Sequence, residues 1–306
     1  MNGCIFGPVP SRRLGRSLGV DLVPFKTCTY DCIYCQLGRT TCKTVRRKEW
    51  VPLEQVVAEL ERELHLRPDY ITLSGSGEPA LYSRLGELID RIKATTPIPV
   101  AVLTNGSLLW REDVRDGLLR ADLVIPSLDA GRQATFRAVN RPHEQITFRL
   151  MLDGLIEFRR LFKGQYWLEV FLLAEYNDTE DEIAELVRAV DRIKPDRVQL
   201  NTVSRPPAED VAEAVPADLL DELASVFRPA AEVIADFRGV HQEAEFAPKR
   251  EAILALLQRR PCSVEDIASG LRAHPNEVVK HLEGLAAQGL VAPPRRPGDR
   301  FYEAIP

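Results

Sequence analysis

Several absences narrow the class of this 306-residue chain before any motif is considered. No apolar run approaches the roughly 20 residues that a membrane-crossing helix requires. The first twenty residues are broken by Gly, Pro and Arg and show no apolar stretch after a basic start, so no secretory leader is expected. An excess of positive charge is also missing. Against 45 Asp and Glu stand 40 Lys and Arg, giving a net charge of −5, so nothing global draws the chain to nucleic acid or to an anionic membrane. Cysteine is scarce at six residues, and without a leader these thiols are expected unpaired in a reducing cytoplasm. A cytoplasmic location with no membrane partner follows as the expectation. The length suits one large domain and a small one.

What is present is an alternation. Between residues 17 and 205, short apolar runs at 18–23, 70–73, 99–103, 123–127, 166–173 and 197–201 read as six buried strands. Helical periodicity separates them over 52–66, 81–94, 110–119, 146–162 and 179–193, the last capped by Asp178 or Thr179. Strands of about five residues between helices predict an α/β fold with a parallel sheet covered by helices. Six such units fall short of the eight of a closed barrel, so a partial (β/α)6 barrel is expected, with its site at the carboxyl ends of the strands.

Residues 206–246 read as a Pro-rich linker and a helical strap. From 247 the pattern changes to three helices: 249–258, one starting at Ser263 with Asp266 at its third position, and 275–288. A hairpin of 290–292 with 301–305 follows. This last unit, 247–306, resembles a winged helix-turn-helix domain; the barrel is expected over 1–205.

The chemistry concentrates in Cys28-Thr29-Tyr30-Asp31-Cys32-Ile33-Tyr34-Cys35. A structural zinc wants four ligands, usually as two separated pairs, and no second pair follows at a matching spacing. Three soft thiolates in one loop suit a cubic [4Fe–4S] cluster and leave one of its irons without a protein ligand. On spacing alone, buried core cysteines or an incidental zinc site remain the plain alternatives. Cys4, Cys42 and Cys262 are too scattered to build a second four-thiolate site, and Cys262 reads as a core residue.

Cys-x3-Cys-x2-Cys with Tyr34 before the last cysteine resembles the signature loop of the radical S-adenosylmethionine (SAM) superfamily. That resemblance implies that Cys28, Cys32 and Cys35 are the cluster ligands and the catalytic centre. SAM would chelate the open iron, and an electron from flavodoxin or ferredoxin would cleave it to methionine and a 5′-deoxyadenosyl radical that abstracts hydrogen from a substrate. The loop around Tyr34 is implied to lie near the adenine. Ser76-Gly77-Glu78-Pro79 stands where the family has Gly-Gly-Glu-Pro, with Ser76 in place of the first glycine and Glu78 facing the SAM ammonium group, as charge pairing also suggests. Thr104, Asn105, Ser127 and Asp129, at later strand ends, are implied to serve the ribose and carboxylate, and Gln199 and Asn201 to lie near the adenine. Helix-terminal and turn-forming roles are the alternatives for these polar residues.

Ser74–Pro79, Leu103–Leu108, Ser127–Ala130 and Asn140–Pro142 resemble one branch in particular, the wyosine-synthase-like enzymes, related to those that build a tricyclic base in tRNA. No flavodoxin-like domain precedes the barrel, and the cysteines for a second cluster are not evident, so a different substrate is expected. Arg12, Arg13, Arg16, Lys26, Arg39 and Lys43 bunch around the first strand and the cysteine loop. Either they form a solvated basic loop or they suit an anionic substrate, such as RNA or a phosphorylated small molecule. Arg13, Arg16, Lys26, Arg137 and Arg141 are the candidate substrate contacts. Two rival classes stand beside this reading: a radical SAM modifier of a protein or peptide, and an iron–sulfur sensor that binds DNA. The third helix of the last unit carries Glu277 and Glu283 against Lys280 alone, which disfavours DNA; Arg295, Arg296 and Arg300 leave room for a phosphate contact.

Overall fold

The computed structural model describes residues 3–11, 13–205, 207–235, 250–271, 273, 275–294 and 300–305. Arg12, the segment 236–249 in which the first helix of the last unit is expected to begin, and the wing arginines Arg295 and Arg296 lie outside these. The chain opens with a hairpin, β1 (Ile5–Ser11) and β2 (Gly15–Val20). The cysteine loop contains the short pair β3 (Thr27–Cys28) and β4 (Cys42–Lys43). Then follow α1 (Leu53–Glu63), β5 (Tyr70–Leu73), α2 (Leu85–Thr95), β6 (Val100–Thr104), α3 (Glu112–Leu118) and β7 (Leu123–Pro126). Two helices, α4 (Gln133–Val139) and α5 (Phe148–Leu161), lead to β8 (Gln165–Leu172), α6 (Glu180–Ile193), β9 (Arg197–Thr202), α7 (Ala217–Ala224) and β10 (Glu232–Val233). The last unit holds α8 (Arg250–Leu257), α9 (Val264–Leu271) and α10 (Pro275–Ala287), with β11 (Val291–Ala292) paired to β12 (Glu303–Ala304).

The six expected strands, β2 and β5 to β9, run parallel in chain order. Each is buried on both faces, which explains their near-continuous apolar sequences. On β6, Val100 and Val102 pack outward with Leu88, Ile89 and Ile92 of α2, while Ala101 and Leu103 join an inner cluster with Leu123, Ile125 and Trp167. The sheet curls until its ends face each other: Arg13, in the turn before β2, bonds Glu169 on β8 and reaches Gln199 on β9.

Besides the short pair in the cysteine loop, two strands of the main sheet were not expected. β1 lies antiparallel on the edge beside β2, and β10 adds two residues parallel to β9. The prolines at 8 and 10 disguise β1, since proline is confined to sheet edges and irregular positions; here the register also shifts between Phe6 and Val9. The Phe6 ring lies where a Cβ on Gly19 would have to be, so a glycine is required opposite it.

Helix signals translate well. In α9 the Ser263 hydroxyl accepts from the Asp266 amide at 3.1 Å, and Asp266 accepts from the Ser263 amide at 3.1 Å, a reciprocal cap. The α6 start differs: Thr179 is the cap residue but makes no side-chain cap bond, while Asp178 accepts from the Glu175 amide. Glu180, Asp181 and Glu182 in the first turn oppose the exposed helix-end dipole instead. Among the described residues no helix is long and apolar enough to cross a membrane.

Candidate active site

The cysteine loop is stitched to the strand ends by its main chain. Lys26, at φ 58°, donates its amide to the Ser76 carbonyl at 2.7 Å, and Glu78 donates its amide to the Thr27 carbonyl at 3.1 Å. A Cβ on Gly77 would fall inside the van der Waals sphere of that carbonyl oxygen, so the close approach requires glycine. Further along, the Asp31 and Ile33 amides donate to the carbonyls of Asn140 and Val139 at the end of α4. The loop is thus fixed on two sides before its side chains contribute.

Cys28, Cys32 and Cys35 line one cavity of about 220 Å³, with no disulfide among them. Burial raises all three thiols, that of Cys28 to about 12 with the Glu78 charge adding to it, and that of Cys32 with the help of Asp129. Asn105 and Asn140 aim side-chain amides at the Cys28 and Cys32 sulfurs, at 3.5 and 3.4 Å. Amides directed at sulfur suit thiolates that a cationic centre has deprotonated. Among the described residues no three acidic, His or Cys side chains converge on one point as a single ion would need, whereas ligands to three different irons need not converge. The remaining cysteines sit elsewhere: Cys4 is buried against Glu59, Cys42 is exposed, and Cys262 is in the core of the last unit.

Glu78 lines the same cavity, yet its carboxylate is already occupied. It accepts from the Thr104 hydroxyl at 2.6 Å and from the amides of Asn105 and Ala80 at 2.8 and 2.9 Å. Burial raises its pKa against these bonds. It ties the end of β5 to the end of β6 and presents its charge to the cavity from that fixed position. Asp129 is also held internally: it accepts from the Tyr34 hydroxyl, from the Asn140 amide at 2.7 Å and from the Phe171 main chain at 3.1 Å, with its pKa pushed up to about 6 by burial. The Tyr34 ring stacks on Phe171 at 4.0 Å. Asp129 therefore clamps the loop and does not line the cavity.

A second cavity of about 370 Å³ fills the barrel interior, and Tyr34, Cys35, Leu103, Ser127 and Glu169 line both. Asn201 reaches the second cavity and donates to Glu169 at 2.8 Å, whereas Gln199 lines neither. Ser76 lines the first cavity; its hydroxyl bonds buried Asp21 and accepts from Arg259 of the last unit at 3.1 Å. Of the basic candidates, Arg13 lines the larger cavity and Lys26 the smaller one. The other three lie elsewhere. Arg16 is buried and donates to the carbonyls of Leu66 and Arg67 at 3.0 and 3.3 Å, before the start of β5 and away from the strand ends that carry the cysteine loop. Arg137 is exposed on α4, and Arg141 pairs with Glu209; neither lines a cavity. Bunching in sequence misled here because neighbouring residues in a strand and its turns point to opposite sides.

Sequence reasoning missed Glu169, Arg205, Arg259 and Arg260. Glu169 left a signal: it is the single charge within the apolar strand Gln165–Leu172, on the inward face shared with Trp167 and Phe171. The arginines left none, because Arg205 lies in the loop after β9 and Arg259 and Arg260 come from the last unit.

Residues 22–190 match the Radical SAM superfamily, more than half of the chain. The chain belongs to that superfamily. Among solved structures, a radical SAM methyltransferase from Sphaerobacter thermophilus aligns with a TM-score of 0.55 at 16% identity, over 73% of this chain and 67% of its own, a likeness of fold. A UPF0026 protein of Methanocaldococcus jannaschii is 37% identical over 226 residues, 72% of this chain and 70% of that one. A protein of Brachyspira hyodysenteriae named GTPase Obg is 43% identical over 292 residues, 94% of this chain, but this chain spans only 43% of its length. No Gly-Lys-Ser/Thr element of a phosphate-binding loop occurs in the sequence, so that name has no residues to act through here. Membership implies a [4Fe–4S] cluster and SAM, and the donor set of three thiols on one cavity fits the first of these.

Proposed function

We propose that this chain is a radical SAM enzyme whose cluster is held by Cys28, Cys32 and Cys35 and whose SAM occupies the cavity those thiols share with Glu78, Thr104, Asn105 and Ser127. When bound, the cluster and SAM supply an electron-triggered cleavage that yields 5′-deoxyadenosine after hydrogen abstraction. The observation that supports the reading is the continuity of the two cavities across Tyr34, Leu103, Ser127 and Glu169, which leaves a second chamber directly beside the cysteine loop. The protein's own share is positional. Gly77 and Glu78 fix the SAM side, and Asp129 and Tyr34 fix the loop.

The wyosine-synthase-like phrases and the arginines of the larger cavity favour an anionic substrate, with tRNA or a phosphorylated small molecule as candidates and a peptide as the alternative. Flavodoxin or ferredoxin would be the electron donor. The C-terminal three-helix unit is read as a winged helix that serves the substrate chamber, since Arg259 is engaged with the barrel at Asp21. Anaerobic reconstitution with iron and sulfide, reduction with SAM present, and chromatography for 5′-deoxyadenosine test the proposal. The native protein is expected to form it, and the Cys28→Ala/Cys32→Ala/Cys35→Ala protein to form none. A stable cluster that never cleaves SAM would sink the enzyme reading in favour of a sensor.

A further inference from the structure

Four arginines reach the larger cavity: Arg13 from the β1–β2 turn, Arg205 after β9, and Arg259 and Arg260 after α8. Three of them are matched by carboxylates. Arg13 meets Glu169, Arg205 meets Asp266 at 3.3 Å with both side chains only 5% exposed, and Arg259 meets Asp21. Arg259 is further fixed by the Gly3 carbonyl at 2.7 Å and by the Phe6 ring. The fourth differs. Arg260 is half-buried, it lines the cavity, and among the described residues its guanidinium has no acceptor.

Its surroundings make that omission costly. Arg205 lies near enough that the Arg260 charge, after burial, helps to bring the Arg205 pKa down to about 10. Two guanidiniums beside one cavity repel each other in a medium of low dielectric. An anion placed between them would reverse the sign of that interaction. Guanidinium groups present paired donors that match carboxylate and phosphate oxygens.

We propose that Arg260, with Arg205 behind it as a positioning residue, binds an anionic group of the substrate, a phosphate or a carboxylate, inside the chamber where the barrel meets the C-terminal unit. The inference rests on reading this cavity as the substrate chamber, and it says where the substrate's charge is held. It also gives the C-terminal unit a role: it supplies one wall of the site. Arg260 is fixed in place by its own chain, since the next residues, Cys262 and Ser263, enter the core of that unit and the cap of α9.

The test titrates inorganic pyrophosphate and succinate by calorimetry into the full-length, cluster-reconstituted protein, with SAM present so that its own cavity is filled. At least one of the two is expected to bind. Arg260→Gln should weaken that binding at least about tenfold, as loss of a charge-assisted hydrogen bond does, with Arg260→Lys intermediate and the exposed Arg149→Gln unchanged. Binding of pyrophosphate alone identifies a phosphate site, and binding of succinate alone a carboxylate site. No binding of either by the native protein, or equal binding by Arg260→Gln, overturns the inference. Among the described residues the Arg260 guanidinium has no partner to orphan, so the thermal midpoint without ligand should stay put, and Arg260→Lys guards against a folding artefact. Formation of 5′-deoxyadenosine on the same samples separates the two readings. Anion binding through Arg260 without SAM cleavage would defeat only the radical assignment; SAM cleavage with anion binding indifferent to Arg260 would defeat only this one.

Discussion

Around the cysteine loop, polar side chains are satisfied by the protein itself. Glu78 takes three donors, Asp129 takes three, and the loop's amides find carbonyls on α4 and on the strand ends. In the larger cavity the balance is different: Arg13, Arg205 and Arg259 have carboxylates, and Arg260 has none among the described residues. The first region is a preorganised cradle whose shape is set without a ligand. The second holds a charge that no described residue matches. Fixed geometry is what accelerates a reaction, whereas an unmatched charged group is what can discriminate between ligands.

The sharpest way to break this contrast is to deform the cradle. Gly77→Ala would press a Cβ into the Thr27 carbonyl and against Val23, and backbone must move because the two nearest atoms, the Thr27 carbonyl oxygen and carbon, are main chain. The expected cost is more than about 3 kcal/mol, above ordinary overpacking. Reconstituted protein should also hold less iron than the native chain. Urea midpoints and iron analysis check both. Unchanged values would mean that the loop yields easily and that the cradle is not rigid.

Breaking the link between the two regions comes next. Arg259→Met leaves Asp21 buried beside Ser76 with no cation, and should cost about 3 kcal/mol near neutral pH. The pH dependence has a definite sign. Burial already raises the Asp21 pKa and Arg259 opposes that rise, so removing Arg259 raises it further. A carboxyl with a raised folded-state pKa favours the fold while protonated and loses that advantage as pH climbs from the unfolded value through the folded one. The variant's deficit should therefore grow as pH rises above the ordinary aspartate value of about 4, and thermal midpoints at successive pH values above it measure the growth. Asp21→Asn in the same chain should remove most of the deficit; if it does not, Arg259 acts by packing on Phe6 and not by charge.

How much of this was legible in the sequence follows from distance along the chain. The six barrel strands, their helices and the cap at Ser263 with Asp266 are local patterns, and each was readable because period and capping act within a few residues. The cradle was readable for the same reason: Cys28 to Cys35 and Ser76 to Pro79 are contiguous motifs. Glu78 and Asp129 were singled out along the chain, but what their carboxylates hold was not readable, because donors to them come from β6, β8, the end of α4 and the cysteine loop. The larger cavity joins residues 13, 169, 205 and 260, and no periodicity links such positions. β1 was hidden by prolines that an edge strand tolerates.

The smallest effects lie in the basic residues themselves, and two of them make a matched pair. Arg16 and Arg137 look alike in sequence, each an arginine near an apolar run. Arg16 is 4% exposed, and its guanidinium satisfies the carbonyls that precede β5, so Arg16→Met would strand those acceptors and should cost about 2 kcal/mol. Arg137 stands in solvent on α4, and Arg137→Ala should change stability by no more than about 0.5 kcal/mol. Urea midpoints of the two variants decide the point. Equal losses would mean that burial does not rank these arginines, and the distinction between matched and unmatched cations in the larger cavity would lose its physical basis; a gap of about 1.5 kcal/mol, the difference of the two estimates, would support it.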